Sequence, residues 1–153
     1  MPVLVVDVAN VMGSRPDGWW RDRAGAASRL MASLVPLVAA DVVAPTTAVL
    51  PSDASASLTE TPETPDTAGS AGSTVRIGRI VAVIEGRARM ATAPPELEVV
   101  LAPADGDTSI VEAAEHVLAD GDVPLVVTAD RGLRGRLPSG SQVAGPGWLL
   151  RLL

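Results

Sequence analysis

Four short aliphatic runs decide what this 153-residue chain can fold into. Val3 to Val6, Arg79 to Ile84, Leu97 to Leu101 and Leu125 to Thr128 are of strand length and rich in β-branched residues, so each predicts a strand. Gln142 to Ala144 predicts a weaker fifth. Helical spacing fills the gaps between them. From Asp22 to Val35, Ala27, Leu30, Met31 and Leu34 share one face, and from Thr108 to Ala119 Ile110, Ala114, Val117 and Leu118 do the same. A short helix should follow Asp130 and stop at Pro138, and Trp148 to Leu153 should pack back on the core. Runs without a polar face are buried on both sides, which is the condition of a parallel sheet covered by helices. The expectation is a three-layer α/β domain with a mostly parallel sheet of four or five strands flanked by helices.

Composition narrows the chemistry. The chain is 47% hydrophobic and 2% aromatic, with three Trp and no Phe or Tyr, so its core must be aliphatic. The absence of Cys excludes a disulfide scaffold, a thiolate zinc site and a cysteine nucleophile together. All 12 basic residues are Arg, and without Lys there is no P-loop. No G-x-S-x-G is present, and the single histidine, His116, lies four residues after Glu112 on a polar helix face, which suits a surface pair better than a catalytic base. Met1 to Val6 lacks a cationic region and is followed by Asp7, so a secretory signal is not expected and the cytoplasm is the default compartment. Leu30 to Leu50 contains Asp41, Pro36 and Pro45 and is a poor membrane span.

The formal charge of −6 argues at first against a polyanionic partner. It is unevenly distributed. Residues 51–74 hold four acids, no base and one large aliphatic side chain, Leu58, so this stretch reads as a disordered insertion within a single domain spanning residues 1–153. The remaining residues balance to −2.

Each predicted strand except the weak fifth ends on an acid. Asp7, Glu85, Asp105 with Asp107, and Asp130 follow the four runs in order. In a parallel sheet those positions gather at one edge, where ligands bind. Carboxylates crowded together repel one another unless a cation lies between them, and hard oxygen donors suit Mg²⁺ or Mn²⁺. Each acid also has a structural reading. Asp130 and Asp107 can cap helices, Ser109 with Glu112 forms a competing capping box, and Glu85-Gly86 can be a turn. Asp7 is harder to explain so, because a carboxylate ending a buried strand needs a partner.

These segments resemble a known family. Asp7-Val8-Ala9-Asn10 is similar to the D-x-x-N that ends the first strand of NYN domains, a branch of the PIN-like metal-dependent nucleases. Ile80 to Gly86 resembles their second strand, with Glu85 where an Asp is usual. Asp107-Thr-Ser-Ile110 resembles their A-D-[D]-x-I, and Val127 to Leu133, VTADRGL, their V-T-[SA]-D-R-x-L. The matches keep the family's order and take in about 110 residues outside the insertion. The resemblance implies a PIN-like (Rossmann-like) domain. It implies catalytic roles for Asp7, Asn10, Asp107 and Asp130 and metal-ligand roles for Asp7, Glu85, Asp107 and Asp130. Asp105 has no clear counterpart in the motif and is a further candidate ligand from its position alone, compensating for the acid that Thr108 replaces.

The expected activity is Mg²⁺- or Mn²⁺-dependent hydrolysis of RNA phosphodiester bonds, with single-stranded RNA as partner and no membrane. A homodimer is compatible with it. Arg15, Trp19, Trp20, Arg131 and Arg134 are the expected substrate contacts: the tryptophans for stacking bases and the arginines for gripping phosphates. Trp19 or Trp20 can instead staple the first long helix to the core, and Arg131 can pair with the acids. Two rival readings stay open. One is a non-catalytic RNA-binding or protein-interaction module, favoured by Thr108 and Glu85. The other is a metal-dependent phosphatase or small-nucleotide hydrolase, although Asp7 to Asn10 lacks the D-x-D-x-T of aspartyl-phosphate enzymes.

Overall fold

In the computed structural model, which describes residues 2–15, 18–45, 48–49, 73–103 and 105–153, the first aliphatic run becomes the centre of a sheet. In chain order the strands are β1 (Pro2–Asp7), β2 (Asp41–Val43), β3 (Ala48–Val49), β4 (Thr74–Arg76), β5 (Arg79–Ile84), β6 (Glu98–Leu101), β7 (Val123–Val127) and β8 (Gln142–Ala144). The helices are α1 (Val8–Gly13), α2 (Arg23–Leu34), α3 (Gly106–Ala119), α4 (Arg131–Arg136) and α5 (Pro146–Leu152). The main sheet runs β3-β8-β7-β1-β5-β6 and is parallel except for β3, which pairs antiparallel with β8. β2 and β4 form a separate antiparallel pair.

Alternation along β1 builds the three layers. Leu4 and Val6 join a core under α1, α2 and α5 that includes Leu30, Met31 and Leu149. Val3 and Val5 join a second core under α3 and α4 with Ile110, Val117 and Leu133. Each fully buried Leu or Ile contributes about 1.5–3 kcal/mol; both cores are mainly aliphatic, and the Trp148 ring is buried in the first. The five parallel strands are those the aliphatic runs predict, displaced by two residues at most.

The chain leaves β1 for β5 and β6 on one side, then returns to β7 and β8 on the other. That reversal puts a switch point at the carboxyl end of β1, where a crevice opens between diverging connections. Register keeps the ends level: Val6 is opposite Val127, and Asp7 opposite Val83.

Several local expectations are corrected. α1 follows Asp7 directly, where the sequence shows a motif but no helical stretch. α3 begins at Gly106 rather than Thr108, because Asp105 accepts the Thr108 N–H and caps it at 2.9 Å. Ser109 is consequently buried inside the helix and does not cap it. β2, β3 and β4 were not foreseen. Of the expected insertion, residues 51–72 lie outside the described residues, whereas the Ser73 carbonyl accepts the Ala44 N–H and Thr74 opens β4. Among the described residues no helix is long and apolar enough to cross a membrane.

Candidate active site

Asp7 is the deepest of the strand-end acids, only 8% exposed. Its Oδ1 accepts the Asn10 N–H at 3.3 Å, which starts α1, and its Oδ2 accepts the Thr128 hydroxyl at 3.1 Å. Burial nevertheless pushes its pKa up to about 6, the two hydrogen bonds offset part of that rise, and repulsion from Glu85 and Asp107 adds to it. A carboxylate held this way ionises at a higher pH than a free one, and a nearby positive charge would favour its ionised form.

Thr128 links two strand ends. Besides donating to Asp7 it accepts the Asp130 N–H at 3.1 Å, and Asp130 in turn caps α4 by accepting the Leu133 N–H at 3.0 Å. Asn10 ties α1 to the same loop, its Oδ1 accepting the Ala129 N–H at 2.9 Å. The amide's other end is a donor, available in kind to a phosphate oxygen or a water.

Asp107, in the first turn of α3, has its pKa raised by partial burial and then by repulsion from Asp130 and Asp105. Arg136 relieves this in part, with Nη1 at 4.0 Å from Asp107 and Nη2 donating to Thr108 Oγ1 at 3.2 Å. Thr108, where the resembling family has a second acid, is thus occupied by an arginine. Glu85 reaches α3 from the end of β5, its Oε2 accepting the Gly106 N–H. A Cβ at position 106 would stand 2.9 Å from that oxygen, so a side chain there would push the Glu85 carboxylate aside.

The expected acids therefore share one electrostatic neighbourhood, with unequal roles. Asp105 is the outlier: its carboxylate is fully exposed, is held below the usual range by its hydrogen bond to Thr108, and serves as a helix cap. Among the described residues no three acids or histidines already form a metal-ligand cluster. The donor chemistry of Asp7, Asp107 and Asp130 still fits a hard cation such as Mg²⁺, which takes one or two carboxylates and completes its shell with water and phosphate oxygens.

The expected substrate contacts divide similarly. Arg131 is exposed at the start of α4, and Arg15 is half-buried after α1. Arg134 turns inward, donating to the Thr128 carbonyl at 3.1 Å, so it supports the loop. Trp19 packs partly into the core, as a staple would, while Trp20 is 57% exposed and meets it edge-on with centroids 6.0 Å apart.

No protein-family model and no curated protein sequence matches the chain at a significant level. Its fold, however, is similar to that of Rae1 (YacP) from Bacillus subtilis. The two superpose with a TM-score of 0.61 at 16% sequence identity, over 99% of this chain and 74% of that one. At such identity the likeness is one of fold, a three-layer α/β arrangement consistent with a PIN-like domain. Thr128 is the site residue that sequence reasoning missed. Its signal was a hydroxyl between an apolar strand and Asp130.

Proposed function

We propose that this chain is a Mg²⁺- or Mn²⁺-dependent ribonuclease acting on single-stranded RNA at the carboxyl edge of its parallel sheet. One observation carries the reading: Asp7 is buried at the end of the central strand, at the switch point, against the repulsion of two other acids. A buried charge so placed costs stability, and a strongly perturbed carboxylate in a crevice is more often functional than structural.

Asp7, Asp107 and Asp130 would hold the cation. When bound, the ion would supply an acidified water and neutralise charge growing on the phosphate. Thr128 fixes the Asp7 carboxylate, leaving its remaining lone pairs directed by two hydrogen bonds. Asn10 holds α1 against the β7–α4 loop and offers an amide donor to a non-bridging oxygen. Exposed Arg131 can take a phosphate bidentately, and exposed Trp20 gives a base a stacking face.

Labelled single-stranded RNA incubated with Mn²⁺, with and without EDTA, tests this. Cleavage should require the metal and fall at least about a hundredfold in Asp7→Asn and in Asp130→Asn, as for loss of a metal ligand or more. Cleavage surviving both substitutions overturns the assignment. Binding without cleavage in any divalent metal favours the non-catalytic module instead, a reading supported by Arg136 on Thr108 where an acid would complete the set.

A further inference from the structure

Beside the carboxylate edge lies a pocket of about 360 Å³ lined by Ala9, Met12, Trp19, Arg23, Glu85 and Gly86 among others. That volume is within the ~300–1,000 Å³ of small-ligand sites. Its position is fixed by α1: Ala9 lies between Asp7 and Asn10, so whatever fills the pocket sits one residue from the proposed chemistry. Its walls are those of a base-binding site. Trp19 presents an indole, and the Arg23 guanidinium lies over the ring at 5.6 Å from its centroid. Single-stranded RNA is read by bases stacked on such groups and hydrogen-bonded along their Watson–Crick edges.

We propose that this pocket is a guanine-selective base subsite, with Trp19 as the stacking wall, Glu85 as the acceptor and Arg23 as a donor. The inference rests on the ribonuclease reading and names what that site would prefer. An ionised carboxylate only accepts, and it can accept two parallel bonds. Guanine alone places two adjacent donors, N1–H and the N2 amino group, on its Watson–Crick edge, with the O6 acceptor alongside for an arginine. Adenine and cytosine set a ring-nitrogen acceptor beside their amino group, and uracil flanks its imino N–H with carbonyls. Each of these turns a lone pair towards Glu85. Unpaired or repelled polar groups in a pocket are what make such sites discriminate. Glu85 is also the site acid that departs from the family pattern by being longer, and its Oε2 is already anchored on Gly106. Glu85 lines the pocket while its Oε2 is held on α3, so this chain's Glu85 reads a base and the cation is left to Asp7, Asp107 and Asp130.

The test uses the full ¹⁵N-labelled chain without metal, titrated with guanosine, adenosine, cytidine and uridine, reading the indole N–H resonances of the three tryptophans. The Trp19 signal should shift with guanosine at a concentration roughly tenfold lower than with the other three, the size of a good bidentate contact. The Trp148 signal should stay, because its Nε1 donates to the Val43 carbonyl at 2.8 Å and does not line the pocket. Trp19→Ala should abolish binding of all four. Glu85→Gln keeps an acceptor for Gly106 and should erase the preference; if that variant loses its native spectrum, Arg23→Gln carries the same test through the O6 contact. No shift at Trp19, equal affinities, or a preference that survives Glu85→Gln overturns the subsite. Cleavage assays on uridine oligomers holding one guanosine separate the two claims. Metal-dependent cleavage indifferent to the guanosine keeps the nuclease and overturns the subsite. A guanosine-selective shift with no cleavage in any metal does the reverse.

Discussion

Asp7 is destabilising where it stands, and that makes its role measurable without substrate. Its pKa is raised to about 6 from 3.8, so between those values the folded protein binds more protons than the unfolded chain. Stability is therefore lost as pH rises through that window and stays low above it, by on the order of 3 kcal/mol in the metal-free protein. Asp107 shifts in the same direction and Asp105 in the opposite one, so the clean measurement is a comparison of wild type with Asp7→Asn. The variant should lose the pH dependence between about pH 4 and 6 and melt a few degrees higher at pH 7.5, the change expected for about 1–2 kcal/mol in a domain this size. It should at the same time lose cleavage. A variant that melts lower at pH 7.5 would show that Asp7 is held for its hydrogen bonds. At this scale the sequence marked Asp7 well, since an acid ending a buried run is conspicuous. Thr128, the hydroxyl that satisfies it, was not marked, because a Thr after two valines reads as one more β-branched strand residue.

Among the elements, the strands of the parallel sheet were legible, and so were the starts of α2 after Asp22 and α4 after Asp130, whereas α1 and the start of α3 were not. β5 and β8 fall on the predicted residues because uninterrupted aliphatic runs declare their burial locally. β2, β3 and β4 depend on pairing between residues far apart in the chain, which no local pattern encodes. The starts of α1 and α3 were harder because an acid has two uses. Asp7, Asp22, Asp105 and Asp130 each cap the helix that follows, accepting an N–H from the residue three positions on. Capping and metal binding are therefore not exclusive readings of a strand-end Asp, and substitutions at one cap can separate them. Asn caps as well as Asp, whereas Ala does not. Asp130→Ala should cost about 1 kcal/mol of stability and Asp130→Asn almost nothing, while both abolish cleavage. Asp105→Asn should leave stability and cleavage near wild type, because that exposed carboxylate serves α3 alone. Loss of cleavage in Asp105→Asn would return it to the ligand set. Thermal melting alongside the RNA assay reads all three.

For the whole molecule, an acidic chain would have to meet the polyanion of the proposed function. Four of its 18 acids lie in residues 51–72 without a compensating base, and several others crowd the sheet edge. On the proposed reading, a divalent ion bound there would add two positive charges where a phosphate would arrive, and it would bind the folded state alone. Linkage then requires Mn²⁺ or Mg²⁺ to raise the melting temperature, by the equivalent of about 2.7 kcal/mol at a hundred times its dissociation constant. The rise should vanish in Asp7→Asn, and calcium-free titration calorimetry would report the same loss as heat. The remote charge makes a separate prediction. Replacing residues 52–71 by a short Gly/Ser linker spares Ser73 and Thr74, which hold β4 against β2, and moves the formal charge from −6 to −2. Melting should change little, since the removed stretch carries one large aliphatic side chain. RNA association should quicken at low salt and be unchanged at high salt, because screening removes repulsion between charges further apart than about 10 Å. If the excised protein binds RNA more slowly at low salt, the acidic stretch takes part in capture, and the charge that seemed to oppose a nucleic-acid partner belongs to its recognition.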